Sequence, residues 1–168
     1  LDVSAITRVR PEPLPVQRFV ADGHLGALAR YLRMLGFDTA YWRDPEDDAL
    51  AWLAHREGRI LLTRDHQLLM RSIVQHGYWV RATEPREQLL EVMRRYRLAQ
   101  EIRPFTRCLR CNGALVPVAK EAIAHLLEPE TRRFHDSFWQ CRSCGQVYWP
   151  GSHHARMQAW IQGLLVQL

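Results

Sequence analysis

Two apolar runs, Phe19-Val20-Ala21 and Ile60-Leu61-Leu62-Thr63, are each followed within two residues by an aspartate, Asp22 and Asp65, and then by amphipathic helical sequence. A third acidic position, the pair Asp47-Asp48, opens the segment Ala49 to Arg56, in which Leu50, Leu53 and Ala54 keep helical spacing. Extended along the chain, the same reading predicts strands at 18–21, 38–42, 59–63 and 78–81 and helices at 24–35, 47–57, 66–76 and 84–97. Strands alternating with helices demand a parallel sheet covered on both faces. In such a sheet the carboxyl ends of the strands line one edge, so Asp22, Asp47 and Asp65 are expected to meet there. Aspartate is also a favoured helix cap, which would explain any one of them alone. Three in equivalent places point instead to a divalent metal site.

A chain of 168 residues, 47% hydrophobic, suffices for one ordinary domain and a small appendage. No apolar stretch is long enough to cross a membrane, and the mixed polar residues 1–17 do not read as a secretory signal, so none is expected. A soluble, cytoplasmic protein is expected. Residues 1–17, punctuated by Pro11, Pro13 and Pro15, read as a linker from an upstream domain. The formal charge is +5, and of the 23 basic residues only Lys120 is lysine. Arginine's planar fork pairs with phosphate and stacks on bases, so the balance suits RNA, although genomic base composition produces the same bias.

Composition changes after Leu98. Four cysteines follow as two pairs, Cys108-Leu-Arg-Cys111 and Cys141-Arg-Ser-Cys144. Two-residue spacing lets both thiolates of a pair reach one tetrahedral ion, and disulfides are rare in the cytosol, so the pattern reads as a structural zinc site. Between the pairs, 120–127 reads as a short helix and 128–136 as a polar loop. Gln146 to Trp149 reads as a strand, and a last helix is expected over 153–165. Gly36, Gly58 and Gly77 stand where left-handed helix C-caps belong.

The run from Phe19 to Thr39, with Arg59-Ile60-Leu61-Leu62-Thr63-Arg64-Asp65, Pro104 to Gly113 and Tyr148-Trp149-Pro150-Gly151-Ser152-His153, resembles the Mut-seven C-terminal RNase domain family. The resemblance spans about Arg18 to Met157 in the family's order. It implies a PIN-like three-layer α/β/α domain with a parallel sheet over 18–100, then a small zinc ribbon with a C-terminal helix over 101–168. It implies a nuclease acting on single-stranded or structured RNA, with Asp22, Asp47 and Asp65 as magnesium or manganese ligands. Asp48 is able to replace Asp47, and a ubiquitin-like domain is common upstream. PIN nucleases use a fourth acidic residue after the next strand, where this chain offers only Glu84, followed by Pro85.

Arg30, Arg33 and Arg64 lie near the acidic positions and His153 and Arg156 at the start of the last helix, where each is a candidate phosphate contact. Arg30 and Arg33 are equally consistent with a solvated helix face. His24 and His66, next to Asp22 and Asp65, are candidate general acids or simple packing residues. Trp139, Tyr148 and Trp149 either stack bases or build the ribbon's core. Two other functions remain open: a non-catalytic RNA-binding module of the same fold, and a protein-interaction module built on the ribbon.

Overall fold

The computed structural model describes residues 17–168, so all but Gln17 of the expected linker lies outside the described residues. Strands β1 (Phe19–Ala21), β2 (Thr39–Ala40), β3 (Ile60–Thr63) and β4 (Gly77–Trp79) form one sheet in the order β2-β1-β3-β4, with every neighbouring pair parallel. Successive strand residues point to opposite faces, and the core divides accordingly. Phe19, Ala21, Ile60 and Leu62 pack with α1 (Gly26–Met34) and α4 (Pro85–Tyr96). Val20 and Leu61 pack on the other face with Leu50, Ala51 and Ala54 of α2 (Asp47–Glu57) and Leu68 of α3 (His66–Leu69). The three-layer α/β/α architecture follows from this alternation.

A second sheet is antiparallel, with β5 (Leu115–Val118), β6 (Phe138–Cys141) and β7 (Val147–Tyr148) in sequence order. Its small core of Ile123, Leu127 and Phe138 is completed by Val118, Val147 and Trp149. Short helices α5 (Lys120–Ile123) and α6 (Pro129–Phe134) link β5 to β6, and α7 (Ser152–Leu165) ends the chain.

Several expectations are corrected. The helix expected over 66–76 stops at Leu69, and the turn after it leaves Met70 exposed. Residues 128–136 are not simply a polar loop, because Glu128 and Pro129 start α6 as its N-cap and first residue. Gly36 and Gly58 do take positive φ, whereas Gly77 begins β4. Helix α7, grouped with the ribbon by sequence, sends Ile161 and Leu164 into the main α/β core and stacks Trp160 on Tyr31 with ring centroids 4.7 Å apart.

The ribbon is bound to the amino edge of the parallel sheet through Asp38. Its Oδ1 accepts from Arg59 and from Asn112 Nδ2, both at 2.7 Å, and Arg107 lies 3.7 Å from its Oδ2. Asn112 Oδ1 in turn accepts from the Thr39 backbone N–H. Burial resists ionisation of Asp38, but the Arg59 and Asn112 hydrogen bonds and the Arg59 and Arg107 charges outweigh it and hold the carboxyl below its ordinary range. Since the folded carboxyl titrates below the unfolded one, its stabilisation is complete above about pH 4 and is lost as pH falls through the folded value. Asp38→Ala is expected to cost about 3 kcal/mol at neutral pH, because Arg59 and Asn112 lose a nearly buried partner. Chemical denaturation should show that deficit shrinking below about pH 4. A deficit independent of pH would assign it to packing instead.

Candidate active site and metal centre

The strand order places a switch point between β1 and β3: the chain leaves β1 toward β2 and leaves β3 toward β4, in opposite directions. The crevice at such a point opens outside the carboxyl ends of the strands. Asp22 follows β1 and Asp65 follows β3 at that edge. Asp22 Oδ1 caps the Gly23 N–H, and its backbone N–H donates to Leu62 O at 3.0 Å, which pins it to the neighbouring strand. Asp65 is the N-cap of α3, its Oδ1 accepting from Gln67 N at 2.8 Å.

Thr63, fully buried at the end of β3, joins the two. Its hydroxyl donates to Asp22 Oδ2 at 2.8 Å and accepts from the Asp65 N–H at 2.9 Å. In the sequence Thr63 is only the polar end of an apolar run, with nothing to single it out. Its β-branched side chain is stiff, so it fixes the two aspartates relative to each other.

The third acidic position is differently placed. Asp47 and Asp48 begin α2, where Arg71 pairs with both, reaching Asp47 Oδ2 at 3.5 Å and bonding Asp48 Oδ1. The early end of α3 carries Arg71 to this place. Among the described residues, the four cysteines are the group of three or more ligand side chains gathered closely enough for one ion, so the three aspartates do not form a preassembled cluster. The clasp is weak, however. Asp47 and Asp48 side chains are 49% and 88% exposed, and exposed pairs contribute at most about 1 kcal/mol.

Glu84 occupies the N-cap of α4 without a capping bond and is exposed. The carboxylate bonded at the end of β4 is that of Glu91, which accepts from the N–H groups of Arg81 and Ala82 and from the Tyr78 hydroxyl. Burial works against its ionisation, and those hydrogen bonds reverse the balance and lower its pKa. His66 packs on Trp79 with centroids 4.0 Å apart, while His24 is exposed on the turn after Asp22.

Two of the arginines read as phosphate contacts are committed to the fold. Arg33, 4% exposed, donates to the carbonyls of Thr39, Leu109 and Arg110, tying α1 to the first cysteine knuckle. Burial lowers its pKa, with partial compensation from nearby cysteines and Asp38. Arg64 Nη1 donates to the carbonyls of Val80, Arg81 and Ala82 and so binds the ends of β3 and β4 together. Arg30 is exposed on α1. His153 and Arg156 are exposed in the first turns of α7, whereas His154 packs on Phe105 with centroids 3.9 Å apart.

The four thiols are positioned to bind a metal ion. Their sulfurs lie within 4.8 Å of one another, with Cys108–Cys144 at 3.7 Å and Cys111–Cys141 at 3.4 Å. Tetrahedral zinc–sulfur bonds of about 2.3 Å call for sulfurs about 3.8 Å apart, so the donors fit zinc in type and spacing. Burial works to raise the Cys141 thiol, but the Cys144 and Ser143 N–H groups and neighbouring thiols outweigh it and bring it to about 7. Gly113 is required here, because a methyl group at that position would stand 2.6 Å from Cys141 Sγ. Tyr148 adds a second layer, its hydroxyl 3.1 Å from Cys108 Sγ and accepting from the Leu109 N–H.

Because Leu109, Arg110 and Asn112 of this knuckle hold Arg33, Thr39 and Asp38, metal removal should reach beyond the ribbon. Chelation, or Cys141→Ser, is expected to unfold residues 105–150 and to lower the denaturation midpoint of the α/β layers. Circular dichroism of ribbon-specific and sheet-specific signals checks this. An unchanged α/β midpoint would show that the two units are energetically independent.

No curated protein and no solved structure matches the chain significantly. The family model described as Mut7-C RNAse domain matches residues 17–161. That span takes in both the parallel sheet and the cysteine module, and the chain therefore belongs to the Mut7-C RNAse domain family.

Proposed function

We propose that the protein is a metal-dependent ribonuclease that hydrolyses phosphodiester bonds of RNA at the crevice between β1 and β3. The observation that carries this reading is the Thr63 bridge, which fixes Asp22 and Asp65 at the switch point of a chain belonging to an RNase family. Asp22 and Asp65 offer hard oxygen donors, the chemistry magnesium and manganese require. An ion held there would supply charge stabilisation to the attacked phosphate and an activated water.

The chain's own residues provide placement. Thr63 and the Gly23 N–H restrict Asp22 to one orientation, and the Gln67 N–H does the same for Asp65. The hydrogen bonds use one lone pair on each bonded oxygen and leave the others available. Asp47, with Asp48 as the alternative, would be the third ligand if released from its exposed pairing with Arg71. Glu84 is near enough in sequence to the end of β4 to assist from the rim, but nothing orients it. Zinc in the ribbon is structural, since four thiolates close its coordination sphere.

The Arg71 clasp favours a second reading, in which the fold binds RNA without cutting it and the acidic edge stays neutralised. Cleavage of single-stranded and transfer-like RNAs in manganese distinguishes the two. Wild type should cut and Asp65→Asn should lose at least about 100-fold in rate, comparable with removal of other electrostatic catalytic groups. Thr63→Val keeps the shape of the side chain but frees both aspartates, and a fall of about 10-fold in kcat with KM little changed is expected. Tight RNA binding with no cutting by any variant would establish the second reading.

A further inference from the structure

A cleft of about 880 Å³ lies where α1, the ribbon and the start of α7 meet, away from the aspartate edge. Its volume is in the range that encloses a small organic ligand. Arg30 of α1 and Arg110 of the first knuckle stand on its walls, together with Trp139, Trp149, Phe105 and His153. Among the described residues that line it there is no carboxylate. Neither Arg30 nor Arg110 has a carboxylate partner among the described residues, unlike Arg107, which is held by Asp38.

The aromatic walls are built for different purposes. Trp149 packs toward Phe138 in the ribbon core, with centroids 6.3 Å apart, and also lines the cleft. A methyl group on Gly151 would stand 2.9 Å from Trp149 Nε1, so glycine allows the indole to lie against the backbone as the chain turns into α7. Trp139 pairs across the strands with Tyr148 and remains half-buried, and no core cluster claims it. A partly open indole beside two unpaired guanidinium groups is the composition of a site for an unpaired base and its phosphates.

We propose that this cleft holds an unpaired nucleotide of an RNA strand, its base against Trp139 and Trp149 and its phosphates on Arg30 and Arg110. The assignment rests on the ribonuclease reading for its choice of RNA. Arg30 lies four residues into α1, about 6 Å along the axis from the end nearest Asp22. A strand running along α1 therefore reaches the cleft within a few nucleotides of the aspartates. The ribbon thereby selects a single-stranded flank, which a paired strand cannot offer because its bases are stacked and hydrogen-bonded.

The test measures binding apart from cutting. A fluorescent single-stranded RNA 12-mer is titrated by anisotropy against the zinc-loaded Asp65→Asn chain, with and without the additional pair Arg30→Ala and Arg110→Ala. The pair should lower affinity and reduce the slope of log K against log salt by about 1.4, for two phosphate contacts on a single strand. Trp139→Ala should weaken binding by roughly 5- to 150-fold. A duplex of the same sequence should bind more weakly and be insensitive to Trp139→Ala. An unchanged salt slope in the folded arginine variant overturns the site, as does a duplex that binds as tightly as the single strand. If the expected binding pattern is found while wild type cuts no RNA, the cleft stands and the nuclease reading alone falls.

Discussion

The arrangement depends on Asp38. It sits at the amino edge of the sheet, one residue before β2, and its carboxylate joins Arg59 at the start of β3 to Asn112 in the first cysteine knuckle. Arg59 also reaches the Phe19 carbonyl on β1 and the Glu57 carboxylate at the end of α2. One acidic group thus organises three adjacent strands and fixes the ribbon to them. With the ribbon committed to the amino edge, the carboxyl edge bearing Asp22 and Asp65 is left open. The Asp38 network is rewarding only while complete, since a nearly buried guanidinium left without its partner costs more than the pair contributes when intact.

The excess of arginine over lysine takes on a different meaning once the side chains are placed. Arg33, Arg59 and Arg64 are each spent on several backbone carbonyls or carboxylates, a task for which a fork of five donors is suited and a lysine ammonium is not. Part of the basic composition is therefore internal fastening. The cations left facing the ribbon cleft are fewer, and their significance comes from the absence of carboxylates around them rather than from the overall charge.

The layers of the main domain were legible because local pattern and global fold agree. Phe19 to Ala21 and Ile60 to Thr63 are continuous apolar runs because the strands are buried on both faces, and each gives way within two residues to an aspartate that caps the next helical turn. The cysteine spacing was legible for the same reason: four thiols imply one ion whatever surrounds them. By contrast, β5 was hidden by Pro117, which a central strand would not tolerate but this edge strand does. β6 was hidden by the ribbon's small size, since only Phe138 and Cys141 of its four residues are buried. The Thr63 bridge and the Arg71 clasp were out of reach for a deeper reason. Each joins residues that only the tertiary fold brings together, Thr63 to Asp22 across 41 positions and Arg71 to Asp48 across 23.

The cysteine cluster and the proposed acidic site call for different metal chemistries. The ribbon gathers four soft sulfur donors within 4.8 Å of one another, a set that would satisfy zinc and leave no position for water. The strand edge offers separated carboxylates, too few and too hard to compete for that ion, but suited to a cation that keeps most of its waters. Incomplete assembly at this edge is physically reasonable: bringing Asp22, Asp65 and Asp47 together without a cation would set like charges against one another, and Arg71 relieves that repulsion at little cost because its pairs are exposed. On the ribonuclease proposal, a cation arriving with the substrate phosphate would have only that weak clasp to displace.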